Sequence, residues 1–265
     1  MAILRSDETK IVPAFLYYVL NTEQMRDTVR GTSGGSNIQN LSGSIGNLPI
    51  PLPPMEVQRE VVRECAHIDG ERQEALREVM RCKEGIAALF ATIGTSGQYP
   101  TVRLESLLES ITGNITKIDK SAILEEGKYP VVTQESGRLV SGYSDNEDVI
   151  TDVPLIVFGD HSCTFKYVDF PFLRGADGTQ LLKISKNQAD IKFIYYYLST
   201  VKIENSGKYE RHFKYLKSLP IPLPPLAVQR ALVEQAAELE ALIARSGDKA
   251  AACAQRKQAL LDERL

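Results

Sequence analysis

Three turn-rich stretches concentrate side chains whose donors and acceptors match the edges of nucleobases. Gln134, Ser136 and Arg138 follow a predicted strand at Tyr129-Pro-Val-Val-Thr133. His161, Ser162, Thr164 and Lys166 follow the apolar run that ends at Phe158. Thr179 and Gln180 come directly after Gly175-Ala-Asp-Gly178, a loop whose glycines permit close backbone approach. A fourth stretch sets Lys202, Lys208, Arg211, Lys214 and Lys217 against Glu204 and Glu210 and has the character of a phosphate grip. The same residues also suit ordinary solvated loops, and His161 equally suits a structural histidine.

Catalytic chemistry has weaker support. Glu126-Gly-Lys128 with Asp119 has the acidic-x-Lys spacing of a metal-dependent nuclease. Lys128, however, runs straight into Tyr129-Pro130, and such triplets arise by chance in a chain that is 25% charged. No Asn/Asp-Pro-Pro-Tyr/Phe motif is present to hold a flipped base, and no glycine-rich strand–helix turn for a nucleotide cofactor. Gly34-Gly35 matches neither. The expectation is a protein that is not an enzyme by itself. Cys65, Cys82, Cys163 and Cys253 lack CxxC spacing and histidine partners, so they read as reduced thiols of a cytoplasmic protein, with no metal site. The N-terminal Met-Ala-Ile-Leu-Arg-Ser has no apolar signal core, and no stretch approaches the roughly 20 apolar residues of a membrane span. With a net charge of −3, any grip on nucleic acid must be local or shared with a partner.

The elements that would position these side chains are announced by a repeat. Leu-Pro-Ile-Pro-Leu-Pro-Pro occurs at 48–54 and at 219–225, each copy followed by x-x-Val-Gln-Arg, at an offset of 171 residues. Prolines at this density remove backbone donors and enforce extended geometry, so each copy is a rigid lead-in to a helix. A heptad seam follows each: Val61, Cys65, Ile68, Arg72, Ala75, Val79, Cys82, Ile86 and Leu89, then Leu232, Ala236, Leu239, Ile243, Ser246, Ala250, Cys253, Lys257 and Leu260. Two apolar stripes on helices about 50 Å long predict an antiparallel coiled-coil spacer. Arg72 and Lys257 interrupt the seams and are expected to meet acidic groups or solvent, because an unpaired buried charge is costly. The alternative is that each helix packs on its own globular core.

Between the helices, residues 99–218 alternate short β-rich runs with Gly, Asp, Asn and Ser clusters, which indicates an α+β globular domain. Phe193-Ile-Tyr-Tyr-Tyr-Leu-Ser-Thr200 reads as a helix at the end of that domain, and Phe15-Leu-Tyr-Tyr-Val-Leu-Asn-Thr22 mirrors it. The expected organisation is therefore the tail of a first domain over 1–48, a lead-in and helix over 49–98, a complete domain over 99–218, and a second lead-in and helix over 219–265.

These features resemble the specificity subunits of type I restriction–modification systems. The resemblance rests on Pro49-Ile-Pro-Leu-Pro-Pro54 with Gln58, Pro220-Ile-Pro-Leu-Pro-Pro225 with Gln229, Tyr129-Pro-Val-Val, Gly159-Asp-His161, Val168-Asp-Phe-Pro-Phe172, Gly175-Ala-Asp-Gly178 and Phe193-Ile-Tyr-Tyr-Tyr-Leu198. It implies a non-catalytic reader of double-stranded DNA, in which target-recognition domains each read half of a bipartite site and the helices set their separation. It also implies partner modification subunits that carry the methyl donor S-adenosylmethionine, none being bound by this chain, and in some assemblies a restriction subunit. The chain departs from the family in having one complete recognition domain. The expectation is that a second copy, or a separately encoded complementary half, supplies the other. A long-helix adaptor that binds protein instead of DNA is the competing class.

Overall fold

The computed structural model describes residues 6–32, 48–111, 115–176, 178–203 and 212–265. In chain order the elements are α1 (Pro13–Leu20), α2 (Glu23–Thr32), α3 (Met55–Thr95), β1 (Thr101–Arg103), β2 (Leu108–Glu109), β3 (Lys117–Ile118), β4 (Tyr129–Val132), β5 (Gly142–Ser144), β6 (Leu155–Gly159), β7 (Phe165–Val168), β8 (Leu173–Gly175), β9 (Thr179–Ile184), α4 (Ile191–Thr200), α5 (His212–Lys217), β10 (Pro220–Pro222) and α6 (Leu226–Arg264). The chain forms two compact units, Met1–Arg81 with Ala241–Leu265, and Cys82–Glu240. No helix among the described residues is long and apolar enough to cross a membrane.

In the first unit the seam is real. Val61, Cys65, Ile68 and Ala75 of α3 are buried, as are Ala250 and Cys253 of α6, while Val79, Ile243 and Leu260 are half-buried. Pairs along the flanks run in opposite senses: Glu71 with Arg256 at 2.8 Å, Asp69 with Lys257 at 2.6 Å, and Glu64 with Arg264 at 3.9 Å. That order makes the helices antiparallel. Lys257 thus meets an acidic group as expected, and Ser246 bonds Glu78 instead of facing apolar side chains. Arg72 behaves differently: its Nε is buried with no hydrogen-bond partner among the described residues. The residue as a whole is half-buried and only its Nε is enclosed, in keeping with the expected contact with an acidic group or solvent.

Phe15, Tyr18 and Val19 of α1 close over Val61, Cys65 and Leu261. Leu261 replaces Leu260 as the fully buried residue at the end of the stripe. A straight helix with 3.6 residues per turn drifts off a strict seven-residue repeat, which moves the contact by one position. Burial raises the Cys65 thiol to about 11, with the Asp69 and Glu64 carboxylates adding to the shift against Lys257. Tyr18 is raised to about 12, first by burial and then by Asp69, whose Oδ2 accepts its hydroxyl at 3.2 Å. Both acids are held protonated in the folded state, so their contribution is intact below pH 9, the ordinary thiol value, and is lost as pH rises through 11 and 12. The melting temperature is accordingly expected to fall between pH 9 and 12, read by thermal circular dichroism, and the double variant Cys65→Ala, Tyr18→Phe should flatten that slope. A slope unaltered by the double variant would show that these groups do not carry it.

The second unit has a β-rich core. One sheet has the order β2-β9-β6-β7 and a second the order β3-β8-β4-β5, the latter with β8 parallel to both β3 and β4. All five residues of β6 are buried, because this strand is paired on both edges, by β7 and β9. α4 is started by Asp190, whose Oδ1 accepts from the backbone of Lys192 and Phe193 at 2.9 and 3.2 Å, and it buries Phe193, Ile194, Tyr196 and Leu198. The seam continues through buried Cys82 and half-buried Ile86 and Leu89 on α3, with Ala236 buried and Leu232 and Leu239 half-buried on α6. Here the deepest α3 residue is Phe90, whose ring lies 4.9 Å from Tyr196 and 5.8 Å from Phe193. Each helix stripe therefore pairs with the other and also packs on the domain core. The second proline phrase does more than lead in: Ile221 sits opposite Val102 in the two-stranded ladder of β10 with β1.

Both Val-Gln-Arg motifs carry a clamp. Gln58 Oε1 accepts the Val12 N–H at 2.8 Å while its Nε2 donates to the Pro53 carbonyl at 2.9 Å and to the Lys10 carbonyl at 3.1 Å. Gln229 Oε1 accepts the Asp190 N–H at 2.8 Å and its Nε2 donates to the Pro224 carbonyl at 2.7 Å. Both glutamines are fully buried. Val12 and Asp190 precede α1 and α4, so the same amide ties the start of a long helix to the start of a short one in each unit.

Candidate nucleic-acid interface

The candidate surface grows from the end of β6. After Gly159 the chain turns sharply: the Cys163 N–H reaches the Gly159 carbonyl at 2.8 Å, and the Gly159 N–H reaches the Thr164 carbonyl at 2.9 Å. Cys163 closes this turn in the left-handed region, with φ of 51°. The Ser162 and Thr164 hydroxyls are 2.7 Å apart. A second loop enters through Gln134, whose Oε1 accepts the His161 N–H at 3.1 Å. The third loop arrives at Gly178, whose carbonyl accepts the Asp160 N–H at 2.7 Å. Gly178 has φ of +65°, and a Cβ there would lie 2.6 Å from Gln134 Oε1 and 2.8 Å from His161 Cδ2. Only glycine fits that approach. The three predicted loops therefore meet at one place.

The basic stretch is joined to the same place by Asp160, which is 3% exposed. Its Oδ1 accepts the Phe213 N–H at 2.8 Å and its carbonyl accepts from His212 Nδ1 at 2.8 Å. This carries α5, with exposed Lys214 and Lys217, onto the loop cluster. The Lys217 ammonium lies 4.7 Å from the Phe213 ring centroid. Lys202 is exposed just beyond α4. Lys208 and Arg211 lie outside the described residues.

Within the cluster the side chains divide. Ser136 and Arg138 are exposed, and His161, Ser162, Thr164 and Gln180 are half-buried. These remain accessible to solvent. Thr179 does not: it is 2% exposed and its hydroxyl faces the Ala176 carbonyl at 3.5 Å. Gln134 spends its amide oxygen on the loop clamp. Lys166 is 8% exposed, with burial holding its ammonium below the usual lysine range against the opposing pull of Glu135. All three were expected as contact residues from their type alone; Thr179 and Lys166 are buried, and half-buried Gln134 uses its amide oxygen on the His161 N–H. Arg174 was missed: its guanidinium donates to the Thr179 carbonyl, at 2.8 Å from Nε, and locks the β8–β9 connection. Its position in a strand opposite a glycine loop was the available signal.

The nuclease-like triplet has another use here. Lys128 pairs with Glu147 at 3.0 Å and lies 5.1 Å from the Tyr129 ring centroid. Among the described residues no group of three His, Cys, Asp or Glu could hold a metal ion.

The comparisons agree with this architecture. The chain is similar to the MjaX type I restriction enzyme specificity subunit of Methanocaldococcus jannaschii, at 25% identity over 92% of this chain and 65% of that protein. The chain thus spans 65% of the length of that curated relative. Among solved structures it is similar to the type I restriction–modification S subunit from M. genitalium, with 17% identity, a TM-score of 0.59, and coverage of 98% of this chain and 74% of the other. It is also similar to a chain from a structural study of complex assembly and conformational transition in a type I restriction–modification system, with 19% identity, a TM-score of 0.54, and coverage of 98% and 73%. At these identities the two structures speak to fold. Residues 97–245, more than half of the chain, match the family model described as the type I restriction modification DNA specificity domain, and the chain belongs to that family.

Proposed function

We propose that this chain is a sequence-specific DNA-recognition subunit of a type I restriction–modification complex. Its β-rich unit reads one half-site of double-stranded DNA, and its long helices hold that reader at a fixed separation from a second. The observation that carries this reading is the convergence of three loops on Gln134 and Gly178, with the lysines of α5 anchored beside them through Asp160. Such a surface offers base-edge donors from the loops and phosphate contacts from a neighbouring helix.

The chain itself supplies no catalysis and binds no cofactor in this proposal. Modification subunits bring S-adenosylmethionine, and a restriction subunit joins where cleavage occurs. Because the Gln58 clamp and α1 repeat the Gln229 clamp and α4, the first unit has the framework of a second recognition module. A second copy of this chain, or a separately encoded complementary half, supplies the second reader. Two-fold assembly would impose an interrupted palindrome on the target.

Selection from a randomised duplex pool, with the chain co-purified with its modification subunit, tests this. An interrupted palindrome would mean two copies, and an asymmetric bipartite site a different partner chain. An intact complex that enriches nothing at low salt would leave the long-helix adaptor. The phosphate role of α5 has its own test. Lys214→Glu with Lys217→Glu should weaken binding to all duplexes alike and lower the salt slope by about 2. An unchanged slope in fluorescence anisotropy would remove α5 from the interface.

A further inference from the structure

Beside the loop cluster, in the same unit, lies a cavity of about 450 Å³ between the 136–139 turn, β7 and the outer face of α4, with Glu240 of α6 on its wall. This size is within the range of small-ligand sites, about 300–1,000 Å³. Two buried polar groups on its wall are poorly satisfied. The Lys166 ammonium, more than nine-tenths buried, has a single contact at 3.5 Å, to the Leu139 carbonyl, and no ion pair among the described residues. The Tyr196 hydroxyl is buried and makes no hydrogen bond of good geometry among the described residues, with the Glu240 carboxylate beside it. A buried ammonium with one long contact is costly unless something else satisfies it.

The cavity is polar in a directional sense. Lys166 points at the turn that carries Arg138, which makes that end cationic. The α4 side is aromatic: Tyr195 lies 5.3 Å from Tyr196 and 5.9 Å from Tyr167, centroid to centroid. Glu240 adds a carboxylate on that side, close enough to reinforce the effect of burial in holding the tyrosines protonated. A bare phosphate would satisfy Lys166 but leave the rings unused and meet Glu240 repulsively. A neutral aromatic would leave the ammonium unsatisfied. A ligand with an anion at one end and a flat ring bearing N–H donors at the other matches Lys166, the tyrosine rings and Glu240, while Asp169 and Lys192, whose ammonium lies 5.1 Å from the Tyr167 ring centroid, complete the lining.

We propose that this cavity takes one nucleotide whose base has an exocyclic amine, with its phosphate on Lys166 and Arg138, its base against the Tyr195 ring, and its amine donating to Glu240. Base–aromatic stacking and cationic neutralisation of phosphate are the two recurring terms of single-nucleotide binding. The nucleotide comes either from DNA, as an extruded residue, or from the free pool. The first source rests on the DNA-recognition proposal and the second does not.

Isothermal titration of the full chain with dAMP, dTMP and inorganic phosphate tests the chemistry. Thymine has no exocyclic amine, so dAMP should bind about tenfold more tightly than dTMP, and both more tightly than phosphate. Glu240→Gln should erase the dAMP preference, and Lys166→Met should weaken both nucleotides alike. Should Lys166→Met fail to fold, Glu240→Gln at its exposed position still carries the test. A duplex with one bulged adenine, compared with the fully paired duplex, identifies the source. A bulge preference lost in Glu240→Gln assigns the nucleotide to DNA, and dAMP binding without a bulge preference assigns it to the free pool. Equal affinity for dAMP and phosphate, or no nucleotide binding and no bulge preference, overturns the proposal. If paired duplex still binds in that last case, the DNA-recognition reading stands and only the cavity assignment falls.

Discussion

Replacing Gln229 with alanine should destabilise the β-rich unit by about 2–4 kcal/mol, because two buried backbone groups lose their partners together. The Asp190 N–H and the Pro224 carbonyl are both satisfied by this one amide, which is fully buried. Water cannot replace it without opening the junction. Asp190 also caps α4, so loss of the clamp should loosen the start of the helix that buries Phe193 and Tyr196. Gln229→Glu is the informative companion. It keeps the acceptor for Asp190 but loses the donor and buries a charge, and should be at least as damaging. Chemical denaturation monitored by tyrosine fluorescence gives both values. A loss below about 0.5 kcal/mol, the range of an ordinary surface substitution, would mean that the proline lead-in and α4 hold their places without the clamp.

Asp160→Ala should cost about 1–3 kcal/mol as the buried Phe213 N–H loses its acceptor, and should also weaken DNA binding. The double consequence separates it from an ordinary core lesion. Asp160 Oδ1 holds the first turn of α5, and that helix presents Lys214 and Lys217 beside the loops. Once released, those ammonium groups must be ordered again at the moment of binding, which lowers affinity without removing any charge. Asp160→Asn keeps an oxygen at the acceptor position and should restore most of both losses. Alanine and asparagine variants with equal DNA affinity, measured by anisotropy at fixed salt, would show that α5 need not be anchored to bind.

Much of the architecture was legible before any coordinates. Both proline phrases, both long helices, the antiparallel seam and the β-rich domain between them follow from local pattern. The seam slipped only at its ends, where Phe90 and Leu261 take the deepest places beside Leu89 and Leu260. The repeat of Phe15–Thr22 in Phe193–Thr200 also pointed to equivalent helices, and α1 with α4 bear this out. The two glutamines stood in the sequence only as matching letters. Their role as clamps emerged when Val12 and Asp190, 46 and 39 residues away, proved to be their partners.

What the amino-acid sequence determined by itself is what depends on near neighbours: where helices start, which face is apolar, and which loops carry side chains with donors and acceptors that match base edges. The tertiary structure alone decided which of those side chains remain presented. Gln134 was drawn into holding His161, Thr179 turned to Ala176, and Lys166 went under the 136–139 turn, while Ser136, Arg138, Lys214 and Lys217 stayed exposed. The physical reason is that periodicity records the burial of a face over a few residues. The direction of a loop side chain is instead set by backbone groups contributed from distant strands, each of which must find a hydrogen-bond partner once it leaves water.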